Sequence, residues 1–381
     1  MKILVTSTPG VGHVLPLVPV ARALQAAGHD VTWATGPDAQ QRVRSAGFDA
    51  VPAGTDQATR MARFSRGWPQ VVDLPPRQRR MVMFPTLFAT LSAEAMFDDL
   101  RSVVTDRDVD LVVHEPCELA AAPLAHLLGV PHATVGFGRF VPDDLLRLAA
   151  DRLADVWSVA GRAVPDDLGL YDFAYLHPLP PSFEPVDSRR PVHLVRPLGI
   201  DGRTVATAVP RDRPSVYVTF GTEFGHVAPW SRVIDAIGSL GIDALLTVGE
   251  RVDPESFGPL PHGVRVERWV PQREAMAASD LVISHGGSGT MIGAVDAGLP
   301  HLVIPLAADH FENADMIVER RVGAMLEPHD VTESRLVEAI QALLVDQVVR
   351  AAVEAASLEM AAMPPPAGAV EILEGLVVGR G

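Results

Sequence analysis

The 381-residue chain is almost free of two residue types, lysine and cysteine. Lys2 is the only lysine, which excludes a P-loop lysine, a protein-kinase lysine and a Schiff-base lysine. Cys117 is the only cysteine, which excludes disulfides within the chain and any zinc or iron–sulfur site built from several cysteines. We therefore expect a cytoplasmic protein that needs neither a metal nor a cofactor.

Positive charge is also scarce. The formal net charge at pH 7 is −15, which repels nucleic acids and anionic membrane surfaces. The apolar run after Lys2 is broken at Pro9 and Gly10, before it reaches the length of a signal peptide. The longest uncharged stretch, residues 119–138, contains two prolines and is a poor membrane helix. We predict no nucleic-acid partner, no membrane partner and no targeting signal.

What the chain does contain is a repeated order of strand, turn, helix, glycine turn and strand. Short apolar strands are predicted at residues 3–7, 110–114 and 280–284. A helical pattern follows each of them and ends at a glycine, namely Gly28, Gly129 and Gly298. Strands that alternate with helices form a parallel sheet covered on both faces, so the pattern predicts an α/β fold.

The length of the chain points to two domains, because a single core stops growing at roughly 250–300 residues. Residues 185–214 are rich in proline, arginine and aspartate and lack periodicity, so a linker is predicted near 200–213. We expect an N-terminal domain of residues 1–205 and a C-terminal domain of residues 206–363. Residues 364–381, which begin with three prolines, are expected to form a helix that packs back on the N-terminal domain.

Two less regular stretches of the first half, residues 55–98 and 138–183, concentrate methionine and aromatic side chains. Such side chains can form an adaptable apolar wall for a small ligand. An equally weighted alternative is that they fill a core. The residues that we expect to line an apolar site are Phe64, Met83, Phe84, Phe88 and Phe137.

A glycine-rich turn, residues 285–290, joins a predicted buried strand to a helix. Its glycines allow a ligand to approach the backbone, and the first N–H groups of the helix favour a phosphate. Side-chain donors are added by His285, Ser288 and Thr290. The alternative is a turn that binds no ligand.

Three rival motifs fail on inspection. A nucleophile elbow requires glycine where Thr290 stands, and a dinucleotide fingerprint requires glycine where Leu15 stands. The zinc-protease pattern that starts at His114 has Glu118 in place of its second histidine.

Three further residues are candidates because of their positions. Trp269 precedes the glycine-rich turn by sixteen residues and can stack on a nucleobase, although a lone tryptophan is more often a core residue. His13 follows the first strand, and ligands bind at the carboxyl ends of parallel strands. A histidine there can take a proton at neutral pH, although a lone histidine is usually structural. Glu115 follows another strand and can orient that imidazole.

These motifs together resemble the inverting nucleotide-sugar glycosyltransferases with two Rossmann-like domains facing across a cleft (GT-B). The resemblance is strongest to the bacterial branch that decorates macrolides, enediynes and aromatic polyketides with deoxysugars. The family's G-H-x-x-P turn, whose histidine is the base, is matched by Gly12, His13 and Pro16. Glu115, fourteen residues before Gly129, holds the place of the family's supporting acid, where most relatives have aspartate.

The resemblance also implies a donor site in the second half. The family's W-x-P-Q motif implies contacts to the base and sugar through Trp269, Val270 and Gln272. Its H-G-G-x-G-T motif implies a grip on the diphosphate through His285, Gly286, Gly287, Ser288, Gly289 and Thr290. Its sugar-reading D-Q pair appears as Asp309 and His310, and Thr222 is added to the expected donor site.

The resemblance implies transfer of a sugar to a small hydrophobic aglycone with inversion at the anomeric carbon. Gly293 stands where many relatives place a glutamate that bonds the ribose hydroxyls, which favours a dTDP-deoxysugar over a UDP-sugar as donor. The altered D-Q pair favours the same donor, because missing hydroxyls would leave glutamine unpaired. A nucleotide-sugar epimerase and a non-catalytic partner of a transferase remain as alternatives. We expect a monomer or a homodimer.

Overall fold

The structure is a computed structural model that describes residues 1–105, 107–198 and 213–379. Their backbones group into two compact units. The N-terminal unit contains the described residues up to 179, 185–198 and 364–379, and the C-terminal unit contains 180–184 and 213–363. The boundary expected between residues 205 and 206 lies outside the described residues, as does the expected linker except for Arg213.

The N-terminal unit is built on a seven-stranded, wholly parallel sheet in the order β3-β2-β1-β4-β5-β6-β7. Its strands are β1 (Lys2–Ser7), β2 (Asp30–Thr35), β3 (Asp49–Pro52), β4 (Leu111–His114), β5 (His132–Val135), β6 (Ala174–His177) and β7 (Val192–Leu194). β1, β4, β5 and β6 are buried along nearly their whole length, as expected for strands covered on both faces.

Helices cover both faces of this sheet. They are α1 (Val11–Val14), α2 (Val18–Ala26), α3 (Gln40–Ser45), α4 (Gln57–Gly67), α5 (Pro76–Phe84), α6 (Glu94–Val104), α7 (Ala121–Leu128), α8 (Asp143–Ala150) and α9 (Ala154–Val159). Short 3-10 turns occupy Leu15–Leu17 and Pro69–Asp73. α2 begins at Val18, so that Pro19 lies in its first turn, where its missing N–H is harmless.

The stretch 55–98, expected to be less regular, is mainly helical. A π-helical segment, Pro85–Ala93, joins α5 to α6 without a break. Pro85 removes one N–H from the helical ladder, and a wider turn is a usual response to such a loss. Phe88 therefore lies in the distorted part of one long helical segment, residues 76–104.

The C-terminal unit repeats the architecture with six parallel strands in the order β10-β9-β8-β11-β12-β13. The strands are β8 (Ser215–Thr219), β9 (Asp243–Thr247), β10 (Val264–Glu267), β11 (Leu281–Ser284), β12 (His301–Val303) and β13 (Gly323–Met325). The helices are α10 (Trp230–Leu240), α11 (Gln272–Ala277), α12 (Ser288–Asp296), α13 (His310–Glu319), α14 (Glu333–Val345) and α15 (Gln347–Ala361), with 3-10 turns at Gly225–Val227, Pro254–Phe257 and Pro328–Asp330. Two Rossmann-like units confirm the predicted fold class.

The last helix, α16 (Gly368–Val378), belongs to the N-terminal unit and packs against α2 and β6. Its Ala369 and Leu373 are fully buried in the main core of that unit. Glu374 lies 3.0 Å from the Nε2 atom of His29. Among the described residues, no helix is both long and apolar enough to cross a bilayer.

Candidate active site

The strand order places a ligand-binding position between β1 and β4. The chain runs outward from β1 through β2 and β3 on one side and from β4 to β7 on the other. At such a switch point the connections diverge, and ligands bind beyond the carboxyl ends of the strands. Thr6 of β1 pairs with His114 of β4, so the turns that carry His13 and Glu115 begin side by side.

The structure brings His13 and Glu115 together. The Nδ1 atom of His13 lies 3.2 Å from Oε1 of Glu115, although the two are not aligned as a hydrogen bond. Contacts of this kind are often loosely aligned before substrate binds. The His13 side chain is one-fifth exposed and the Glu115 side chain is fully buried. The longer carboxylate therefore reaches the imidazole, as the shorter aspartate of most relatives is expected to do.

Donors from both turns hold the Glu115 carboxylate. The backbone N–H and the hydroxyl of Thr8 donate to Oε1 at 3.1 and 2.9 Å, and the N–H of Cys117 donates to Oε2 at 2.6 Å. Burial alone would raise the pKa of Glu115, but His13 and these hydrogen bonds together hold the pKa below its ordinary value. A fixed negative charge beside Nδ1 can orient the imidazole and stabilise its protonated form.

Two of the five expected acceptor residues lie against His13. The ring centroids of Phe88 and Phe137 are 5.5 and 5.0 Å from that of the imidazole, and both side chains are half-buried. Phe64 and Phe84 are instead 6% and 4% exposed and fill two apolar clusters, so they offer little surface to a ligand. Met83 is half-buried and packs on the cluster of Phe64.

A second buried carboxyl, Glu118, was not predicted as part of the site. It is 2% exposed, its Oε2 accepts a 2.5 Å hydrogen bond from the Thr6 hydroxyl, and its Oε1 accepts the N–H of Ala120. Burial raises the pKa of Glu118 to about 7, and the charge of Glu115 acts in the same direction. The only sequence signal was a second glutamate three residues after Glu115 in an otherwise uncharged stretch.

Glu118→Gln is expected to stabilise the protein at alkaline pH. Between the ordinary pKa of 4.5 and about 7 the folded protein keeps a proton that the unfolded chain has lost, so wild-type stability falls as pH rises. Above pH 7 the ionised, buried Glu118 lowers the free energy of unfolding by about 3 kcal/mol relative to a glutamate with its ordinary pKa. Glutamine can donate to the Thr6 hydroxyl and carries no charge, so the variant should lose this slope. Urea midpoints at pH 5 and pH 8 measure it, and a wild-type slope in the variant would contradict the assignment.

The glycine-rich turn occupies the equivalent position in the C-terminal unit. Ser284 of β11 pairs with Thr219 of β8, and β8 and β11 lie at the switch point of that sheet. Gly287 is the N-cap of α12, and no side chain caps this helix. The first N–H groups of α12 are thus not capped by a side chain, as an anion-binding turn requires.

The glycines of this turn are required by close packing. A Cβ on Gly286 would lie 2.7 Å from Val303, and the φ of Gly286 is +84°. A Cβ on Gly287 or on Gly221, which follows β8, would lie 2.5 or 2.8 Å from Nε2 of His285. The backbone therefore runs tightly along the His285 imidazole on two sides. Gly289 faces open space, so its role differs from that of the other two.

A buried amide stabilises the turn from α13. Asn313 donates from Nδ2 to the carbonyl of Gly286 at 2.8 Å, to the hydroxyl of Ser288 at 3.1 Å and to Asp309 at 3.0 Å. The Ser288 hydroxyl also donates to Asp309 at 2.6 Å. Asn313, fully buried, was missed by sequence reasoning, although a polar residue on the apolar face of a helix is a usable signal.

His285 and His310 pack together, with ring centroids 4.4 Å apart. Burial lowers the pKa of both, well below the ordinary value for His285 and to about 4 for His310, so both are neutral at pH 7. Nδ1 of His310 accepts the N–H of Ala307 at 3.1 Å. One ring nitrogen of His310 is thus used to hold the loop that precedes α13.

Of the remaining donor candidates, Gln272 contacts this turn directly. Nε2 of Gln272 donates to the Thr290 hydroxyl at 2.9 Å, which joins the start of α11 to the turn. Trp269 is 64% exposed, Val270 packs on an apolar cluster below it, and Thr222 is exposed in the turn after β8. Trp269 is therefore not a core residue, and its exposed indole can offer a stacking surface.

Two Rossmann-like units, one with a His–Glu dyad and the other with an uncapped glycine turn opening a helix, define an enzyme of the GT-B glycosyltransferase class. The chain belongs to the erythromycin biosynthesis protein CIII-like family. The model of that family's N-terminal domain matches residues 22–216, and the model of its C-terminal domain matches residues 231–376.

Individual relatives agree with this assignment. The chain is 33% identical to the L-demethylnoviosyl transferase of Streptomyces niveus, over 97% of both chains. It is 27% identical to the 10-deoxymethynolide desosaminyltransferase of Streptomyces venezuelae, over 99% of this chain and 97% of that one. Among solved structures, the glycosyltransferase SnogD from Streptomyces nogalater has 27% identity, a TM-score of 0.76 and 99% coverage of both chains. The glycosyltransferase VinC, solved in complex with dTDP, has 25% identity, a TM-score of 0.78 and full coverage of both.

Proposed function

We propose that this glycosyltransferase transfers a deoxysugar from a dTDP-sugar to a small apolar natural-product aglycone, with inversion at the anomeric carbon. The observation that carries the proposal is the buried, negatively charged Glu115 beside a partly exposed His13 that two phenylalanines flank. The names of the relatives support a deoxysugar and an aglycone, and the VinC complex supports dTDP. We further propose a cytoplasmic monomer or homodimer that catalyses this transfer without a metal or cofactor.

In the proposed reaction His13 is the general base. Its Nδ1 faces Glu115, so its Nε2 takes the proton of the acceptor hydroxyl as that oxygen attacks the anomeric carbon. The bond from the anomeric carbon to the phosphate oxygen breaks, and its electron pair leaves with the diphosphate. Glu115 stabilises the resulting imidazolium. Phe88 and Phe137 provide the apolar surface for the aglycone.

The C-terminal unit is proposed to hold the leaving group. The N–H groups at the start of α12, His285 and Thr290 would stabilise the charge that develops on the diphosphate. Asp309 already accepts two hydrogen bonds at Oδ2, from Ser288 and Asn313, which fix the position of its carboxylate. Its proposed role is to bind a hydroxyl of the transferred sugar. Gly293 supplies no carboxylate for a ribose, and a thymidine donor has no 2′-hydroxyl to bind.

A product screen tests the proposal. The purified enzyme is incubated with a set of dTDP- and UDP-sugars and a panel of aglycones, and glycosides are detected by mass spectrometry. A dTDP-deoxysugar is expected to give product with an inverted anomeric centre. Interconversion of nucleotide sugars without a glycoside would establish an epimerase instead, and failure to bind either dTDP or UDP in a thermal-shift assay would favour a non-catalytic partner.

Trp269→Ala is expected to weaken dTDP binding by about 5- to 150-fold, because base stacking on an aromatic ring contributes about 1–3 kcal/mol. The indole is 64% exposed, so its removal leaves the core intact and the Tm should stay nearly unchanged. Trp269→Phe, which keeps a ring, is the matched variant and should retain most of the affinity. Calorimetric titration with dTDP measures both, and equal affinity in Trp269→Ala and wild type would exclude stacking.

A further inference from the structure

A cluster of two histidines and an aspartate lies in the N-terminal unit and has no part in the proposed reaction. His126 is on α7, His132 begins β5 and Asp172 precedes β6. Oδ2 of Asp172 is 2.7 Å from Nε2 of His126 and 3.8 Å from Nε2 of His132. One ligand atom from each of the three residues lies within 4.8 Å of the other two.

Hydrogen bonding determines which nitrogen of each buried histidine carries the proton. Nδ1 of His114 lies 3.2 Å from the carbonyl oxygen of Glu115, so this nitrogen must be the donor. A neutral imidazole with its proton on Nδ1 has an acceptor at Nε2. Nδ1 of His132, 3.1 Å away, must then donate to it. The hydroxyl of Thr134, the other neighbour of that nitrogen, donates to the carbonyl of Leu170.

The consequence is a lone pair on Nε2 of His132 that points at a carboxylate. His132 is 1% exposed, and the proton of its neutral ring lies on Nδ1, which donates to His114. Asp172 accepts a hydrogen bond from His126, but its Oδ2 atom lies 3.8 Å from Nε2 of His132, which is beyond hydrogen-bond length. Nε2 of His132 is buried and has no hydrogen-bond partner among the described residues. Two electron-pair donors therefore face each other, an arrangement that a cation between them would satisfy.

We propose that His126, His132 and Asp172 bind a divalent transition metal ion, with Zn²⁺ as the best match. Two imidazole nitrogens and one carboxylate oxygen form a known ligand set for zinc, and water can complete a tetrahedral site. Asp172 is 26% exposed, so the metal can enter from solvent. The hydrogen bond from Nδ1 of His132 to His114 is the outer contact that orients a metal-binding imidazole. The sequence predicted no metal for this chain.

One basic side chain competes with the metal. A guanidinium nitrogen of Arg162 lies 2.8 Å from Nδ1 of His126, so Nδ1 accepts and Nε2 of His126 donates to Asp172. Metal binding at Nε2 requires the other tautomer, and Arg162 must move away. Arg162 is exposed and can do so without disturbing the core. Its removal should therefore strengthen metal binding.

The bound ion would link the segment between α9 and β6 to α7 and β5. Asp172 lies in that segment, His126 lies on α7 and His132 lies on β5. Nearby Asp167 adds negative charge, and its Oδ1 accepts the N–H of Gly169. Asparagine at position 167 can keep that hydrogen bond, which makes Asp167→Asn a matched control for Asp172→Asn.

The test is a Zn²⁺ titration of the tag-free full-length protein against a competing chromophoric chelator. We expect one tight site. Asp172→Asn and His126→Gln should each weaken binding at least about tenfold, as loss of a ligand or its support does. Arg162→Gln should strengthen binding about tenfold, because a positive charge next to the ion is removed. Asp167→Asn removes the same charge as Asp172→Asn but no ligand, so it should weaken binding less than about threefold, and His13→Ala should bind like wild type.

Co²⁺ in place of Zn²⁺ gives a second measurement, since a tetrahedral site with two nitrogens absorbs in the visible range and the band should be lost in Asp172→Asn. Circular dichroism confirms that each variant is folded. The proposal is overturned if wild type binds no stoichiometric Zn²⁺, or if Asp172→Asn binds as tightly as Asp167→Asn. It is also overturned if His13→Ala abolishes binding, because the ion would then lie at His13, Glu115 and Cys117, the other such cluster among the described residues.

Discussion

His13→Ala is expected to lower turnover by about 10²- to 10⁴-fold, the usual contribution of a general base. The imidazole combines partial exposure, contact with a buried carboxylate and two flanking phenylalanines. Donor affinity should be nearly unchanged, because the proposed dTDP site is formed by residues of the C-terminal unit. Steady-state kinetics with a productive donor and aglycone, together with dTDP titration, separate the two effects.

His29→Ala is the control for this variant. His29 belongs to the same unit and lies 3.0 Å from Glu374, but it is outside the turns after β1 and β4. Its loss should affect Tm more than turnover. Turnover of His13→Ala within threefold of wild type would remove His13 as the base.

Glu115→Gln is expected to lower turnover to a similar extent, by about 10²- to 10⁴-fold, because the carboxylate orients and charges the catalytic histidine. Both carboxylate oxygens are occupied: Oε1 accepts from Thr8 and Oε2 accepts from Cys117. Glutamine has one acceptor oxygen, so its amide NH₂ must face a donor in either orientation. The variant thus loses the charge that stabilises the imidazolium and disturbs the hydrogen bonds that fix the dyad.

Glu115→Asp distinguishes an orienting role from a purely structural one. Aspartate keeps the charge and is the residue expected at this place in most relatives. Turnover of Glu115→Asp should therefore be at least about tenfold higher than turnover of Glu115→Gln. dTDP affinity should be the same in both variants. Equal activity of the two variants would show that the charge beside His13 does not matter for turnover.

The glycine-rich turn could be predicted from sequence because it is local. Residues 285–290 are contiguous, and in any fold a glycine-rich turn between a buried strand and a helix lets a ligand approach the first N–H groups of that helix. The structure adds why the glycines are needed. Gly287 packs on the His285 imidazole of the same turn, but Gly286 packs on Val303 and Gly221 packs on His285 from another strand end.

The surroundings of the dyad could not be predicted in the same way. Thr8 and Cys117 contact Glu115 because β1 and β4 are adjacent, which depends on strand order. Phe88 reaches His13 from a helical segment more than seventy residues along the chain, while Phe64 and Phe84, which look equivalent in the sequence, are buried in apolar clusters. Burial of an individual aromatic side chain depends on packing that no local pattern encodes.

The sequence by itself determined the α/β class and the repeated strand–helix order, and it singled out the glycine-rich turn, the candidate base His13 and its candidate partner Glu115, because each depends on residue types at recognisable positions. Only the tertiary structure decided which donors hold Glu115 beside His13, that Glu118 is buried close to Glu115, and that His126, His132 and Asp172 meet. The pKa of an ionisable group and the hydrogen-bond partner of a lone pair both depend on groups that are distant in the chain. Their chemistry therefore follows from the topology of the sheet.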